Sequence, residues 1–125
     1  LYTAQEVETA LAEKAAWIGS PVPGGRAYQQ LLRIEVQGDT KDLCTVVPRP
    51  ACLTEVSTGA YEQCFEITKE AVGEGLDGLH TPSARHAQGV CTPILSRQAV
   101  VSMERAQYVR FDYSEPEARW VPLIL

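Results

Sequence analysis

Both histidines of the chain, a serine and an arginine share one short segment, Leu79-His80-Thr81-Pro82-Ser83-Ala84-Arg85-His86. Ser83 beside His80 or His86 could act as a nucleophile with its base, the imidazole taking the hydroxyl proton as attack begins. Acyl transfer of that kind also needs oxyanion donors, and no Gly-x-Ser-x-Gly turn surrounds Ser83. His80, His86 and Cys91 do not follow the ligand spacing of known zinc sites. The segment is expected to carry no catalytic residue, no metal and no cofactor. Its expected role is contact with a partner through His80, Arg85 and His86. A small hydrolase using His80 or His86 is the alternative.

Cys44, Cys52, Cys64 and Cys91 are the four cysteines, with no Cys-x-x-Cys pair among them. An even number in a small domain suggests two disulfides and an oxidising compartment, hence a secreted or otherwise extracytoplasmic protein. A sequential pairing, Cys44–Cys52 with Cys64–Cys91, would close a Pro-containing turn and clamp the Gly-rich stretch that follows. A nested pairing, Cys52–Cys64 inside Cys44–Cys91, arises if Ser57-Thr58-Gly59-Ala60 turns a hairpin. Spacing leaves both open.

The net charge is −5, and residues 53–77 hold all of it: Glu55, Glu62, Glu66, Glu70, Glu74 and Asp77 against Lys69. The rest of the chain balances. No basic stripe is present to neutralise phosphates, so neither nucleic acid nor an anionic membrane surface is an expected partner. Glu62 and Glu66 are candidate contacts for a cationic partner. No apolar run approaches the length of a membrane-spanning helix.

These residues need a scaffold. Thr3-Ala4-Gln5-Glu6 has capping-box spacing, and Val7, Leu11, Ala15 and Ile18 recur on one helical face, which predicts a helix over 3–18. Pro21-Val22-Pro23-Gly24-Gly25 is a connector. Leu32, Ile34 and Val36 alternate with polar residues as in a half-buried strand, and Leu43–Val47 reads as a short second one. Leu53–Val56 and Tyr61–Thr68 read as a hairpin about Gly59. Gly73–Gly89 lacks periodicity and is expected to be a long loop. Ser96–Gln107 fits a strand or a short helix. Gln107–Tyr113 alternates clearly, and Pro122 places Arg119–Leu125 at a sheet edge.

This order predicts a single α+β domain over 1–125, with one N-terminal helix on a curled antiparallel sheet of five or six strands. Tyr2-Thr3-Ala4 with Val7 and Ala10, and Phe111-Asp112-Tyr113-Ser114 before Trp120-Val121-Pro122, resemble pieces of the T1-type ribonucleases. The Gly-rich signature and C-terminal His of those enzymes are missing, so the resemblance implies a ribonuclease-like scaffold without its active site. The helix-then-sheet order also resembles the cystatin-like protease inhibitors, without their Gln-x-Val-x-Gly hairpin. The function expected from these features is a small secreted, disulfide-bonded, non-enzymatic protein that binds another protein, in the manner of a virulence effector. The loop Gly73–Gly89 would present the contact. A degenerate ribonuclease-like hydrolase and a cystatin-like inhibitor are the alternatives.

Overall fold

Extended backbone opens the chain where a helix cap was expected. In the computed structural model, which describes residues 1–20 and 22–125, Gln5 N donates to Val90 O at 3.0 Å and Thr92 N to Thr3 O at 2.8 Å. The Thr3 hydroxyl donates to Thr92 O at 2.6 Å and caps nothing. The first helix, α1, is therefore shorter than its sequence pattern, Val7–Ala15, and its N-cap Glu6 makes no side-chain bond. Pro21, part of the expected connector, lies outside the described residues.

Six strands and one more α-helix complete the described elements: β1 (Arg26–Val36), β2 (Thr40–Asp42), α2 (Thr58–Gly73), β3 (Gly78–Pro82), β4 (Val90–Cys91), β5 (Val100–Ser114) and β6 (Arg119–Ile124). Short 3-10 helices span Ala51–Leu53 and Arg97–Ala99. The class is mixed α+β, but the strands form two three-stranded sheets, β1-β5-β6 and β2-β3-β4, in place of one curled sheet.

The cause lies in α2. Tyr61–Thr68, expected as a strand, is helical because Ala60, Cys64, Ile67 and Ala71 recur at helical spacing. That face packs against Leu43, Leu53, Leu79 and Leu95. The supposed hairpin turn at Ser57 is the helix start, where the Ser57 hydroxyl accepts Ala60 N at 3.2 Å. Gly75, at φ +76°, reverses the chain just after the helix. With α2 as crossover, β2 and β3 pair in parallel, an arrangement that a tight turn cannot produce. Leu43–Val47 forms no strand, and Leu43 alone of it is buried.

Gly73–Gly89 is likewise no long loop. It contains β3, whose Leu79 is 2% exposed. The segment lacks alternation because both faces of β3 are covered.

The second core, Val109, Phe111 and Trp120, receives Leu11 and Ala15 of α1 and Ile18 beyond its end, whereas Val7 of the expected face is exposed. Pro122 does lie on an edge strand, β6. No helix of the structure is long and apolar enough to cross a membrane.

Candidate functional site

Besides its apolar face, α1 buries a second pair of residues, Thr9 and Glu13, one helical turn apart. They point toward β4 and the chain that leaves β3. Glu13 is 9% exposed, and its Oε1 accepts the Ser83 hydroxyl at 2.6 Å and the Cys91 thiol at 3.5 Å. A carboxylate taken this far from water costs several kcal/mol unless hydrogen-bonded, so these donors are what makes the position tenable. Both act on Oε1, which leaves Oε2 to accept from a ligand.

A tight turn holds Ser83. Its Oγ accepts the amides of Arg85 at 3.1 Å and His86 at 3.0 Å, and Ser83 N donates to Gly89 O at 2.8 Å. With two donors already aimed at it, the hydroxyl has its proton free for Glu13. His86 Nδ1 lies 2.8 Å from the Thr9 hydroxyl, which is fully buried. Gly89 permits this approach, because a Cβ there would stand 2.5 Å from Thr9 Oγ1.

Cys91, fully buried, and Tyr2 complete the cluster. The Tyr2 ring is largely exposed, but its hydroxyl end reaches Cys91 and the neighbourhood of Glu13 and Cys64. Burial first, then these neighbours, pushes the phenol far above its ordinary range. Burial and the Glu13 carboxylate push the Cys91 thiol up as well, against opposing bonds from Tyr2 and Ser83. Both groups therefore stay protonated near neutral pH. In this state the Cys91 thiol donates to Glu13.

The cluster opens into a cavity of about 640 Å³ between α1 and α2. Trp17 and Tyr61 stand in its wall with ring centroids 6.4 Å apart, and Lys14 and Arg85 also line it. Neither cation makes an ion pair among the described residues. A carboxylate, two aromatic rings and two unpaired cations thus share one concave surface.

The sequence-derived candidates are dispersed. Arg85 lines the cavity. His80 does not pair with Ser83; its Nδ1 lies 3.1 Å from both Gln5 Nε2 and Thr92 Oγ1. His86 is engaged by Thr9, although its amide supports Ser83. Glu62 and Glu66 lie on the outer side of α2, in a shallow depression with Phe65. No cluster of metal-ligating side chains occurs among the described residues.

All four cysteines are free thiols, so neither expected pairing is formed. Cys91 is committed to the Glu13 cluster, and Cys44 lies in the turn after β2, its amide on Asp42. Cys52 and Cys64 do meet, as the nested pairing required, but through a helix packed on a 3-10 turn in place of a hairpin.

Glu13, Tyr2, Trp17 and Tyr61 were not among those candidates. The available signal was the Thr9–Glu13 spacing, a polar pair beside the apolar face of a short helix.

A two-helix α+β domain with a buried carboxylate at the base of an aromatic-walled cavity is the class these features define. The RES domain matches residues 1–114, and the chain belongs to that family. The match spans Tyr2, Glu13, Ser83 and Cys91 and ends with β5. No curated protein and no solved structure matches the chain.

Proposed function

We propose that this chain binds a small phosphorylated, ring-bearing sugar compound of the nucleotide class in the cavity between α1 and α2. The observation that carries the reading is the Glu13–Ser83 pair. A carboxylate buried and oriented at 2.6 Å, with its second oxygen left for a ligand, suits the hydroxyls of a sugar. Trp17 and Tyr61 suit a flat ring, and the unpaired Lys14 and Arg85 suit an anionic group. The cavity volume falls within the range of small-ligand sites.

With Tyr2 and Cys91 held protonated, the chemistry left to Glu13 is electrostatic. It can accept hydrogen bonds from ligand hydroxyls and stabilise positive charge that develops on a sugar carbon as its substituent departs.

Binding of adenosine monophosphate, with adenosine and ribose phosphate for comparison, tests this by titration of Trp17 fluorescence and by calorimetry. The native chain is expected to bind the nucleotide, and Glu13→Gln to weaken it about 10-fold to 100-fold, the equivalent of one hydrogen bond to a charged group. Equal affinity of the two proteins, or no binding by the native chain, overturns the reading.

A second reading, a secreted protein acting on a protein partner, is supported by the outer side of α2. Phe65 and Val72 form an exposed apolar row there, and Phe65 is 60% exposed. Glu62, Glu66 and Glu70 flank the row, so the surface suits a basic partner. Reversing Glu62 and Glu66 to Lys would abolish such an interaction and leave nucleotide binding unchanged.

A further inference from the structure

Cys52 and Cys64 both line the same cavity. Cys52 belongs to the 3-10 helix Ala51–Leu53 and is 4% exposed; Cys64 lies on the inner side of α2. The Cys64 thiol donates to Cys52 O at 3.2 Å. That contact holds the two residues together across the seam between the elements. Cys44 lies in the turn after β2, its amide on Asp42, and the Cys91 thiol donates to Glu13.

We propose that Cys52 and Cys64 are an oxidative modification site, a dithiol that exchanges with a low-molecular-weight disulfide to form an intramolecular bond. Cys64, the more open of the two, gives up its proton and attacks the small disulfide, which releases one small thiol and leaves a mixed disulfide on Cys64. The Cys52 thiolate then attacks Cys64 Sγ and expels the second small thiol. Two protein thiols are oxidised, one small disulfide is reduced to two thiols, and the two protons leave with them. The new bond fastens the 3-10 helix to α2 and stiffens that side of the cavity. In an oxidising compartment the pair would be closed, and in a reducing one open.

Burial and the neighbouring Cys52 push Cys64 up to about 11, so the attacking thiolate is scarce at neutral pH. Exchange is therefore expected to be slow at neutrality and to accelerate as the pH rises.

The test uses the whole folded chain with cystamine, a small cationic disulfide attracted to the acidic side of α2. Samples are quenched, denatured, alkylated and mapped by peptide mass. The expected product lacks two hydrogen atoms and yields a Cys52–Cys64 linked peptide, and its rate of formation climbs with pH. A Cys44→Ser/Cys91→Ser variant should form the same link. Four alkylatable thiols, stable cysteamine adducts without the link, or a link through Cys44 or Cys91 would each overturn the proposal. The mapping of the native chain decides the matter even if a Cys64→Ser variant fails to fold, and it requires no ligand in the cavity.

Discussion

Ser83→Ala removes one oxygen atom that joins α1 to the turn after β3. The hydroxyl donates to Glu13 Oε1 at 2.6 Å and accepts the Arg85 and His86 amides at 3.1 and 3.0 Å. A hydrogen bond to a charged group contributes about 1.5–3 kcal/mol. After the change, Oε1 keeps only the Cys91 thiol at 3.5 Å, a weak donor, and Glu13 remains 9% exposed. The two amides lie in a partly exposed turn where water can replace the lost acceptor, so they add less. A total of about 2–4 kcal/mol follows, a large share of the roughly 5–15 kcal/mol that holds a domain together. At this chain length the melting temperature should fall by roughly 6–20 °C. Urea unfolding followed by circular dichroism measures the loss, with an unchanged denaturant slope as the check that the native state is intact. Glu13→Gln alone and combined with Ser83→Ala completes a double-mutant cycle. The two changes should couple by more than about 0.5 kcal/mol, because they act on one contact. A Ser83→Ala cost below about 0.5 kcal/mol, or strict additivity in the cycle, would refute the view that this pair holds the site.

Other consequences are as direct. Cys64 is raised from 9.0 to about 11 in the folded chain, so the native state keeps its proton where the unfolded chain releases it. The stability tied to this group is complete below about pH 9 and is lost as pH rises toward 11; the burial of Tyr2 and Cys91 acts in the same direction. The urea midpoint should therefore decline across that window, and a flat profile contradicts the burial of these groups. Gly89→Ala would push a methyl to 2.5 Å from Thr9 Oγ1 and 2.9 Å from His86 Nδ1. It should cost about 1–3 kcal/mol by the same unfolding assay, and a neutral result denies the close packing of that turn. Trp17→Ala, at a residue 64% exposed, should change stability by less than about 0.5 kcal/mol yet weaken nucleotide binding. The reverse pattern would assign Trp17 to the core.

Local pattern and tertiary packing divided the outcome. The sequence alone determined an α+β chain with an amphipathic N-terminal helix, a strand through Leu32–Val36, another through Gln107–Tyr113 and an edge strand at Pro122, because each has a period that its own residues carry; only Leu32 departs, since a register shift after Leu31 leaves it 42% exposed. It also marked the charge on residues 53–77 and the segment around Ser83. It misplaced Tyr61–Thr68, since the alternation of Tyr61, Phe65 and Ile67 coexists with the helical spacing of Ala60, Cys64, Ile67 and Ala71. Only burial against Leu43 and Leu79 selects the second pattern. It missed β3, because a strand covered on both faces shows no alternation and its glycines look like loop punctuation. The partner of Ser83 was equally beyond reach. Glu13 is 70 positions away and meets Ser83 only when α1 crosses β4, whereas the nearby histidines turn to Thr9 and Thr92. Spacing along a chain fixes which residues can share a helix face or a strand face. Which carboxylate loses its water, and which hydroxyl replaces that water, is decided by the packing of distant elements.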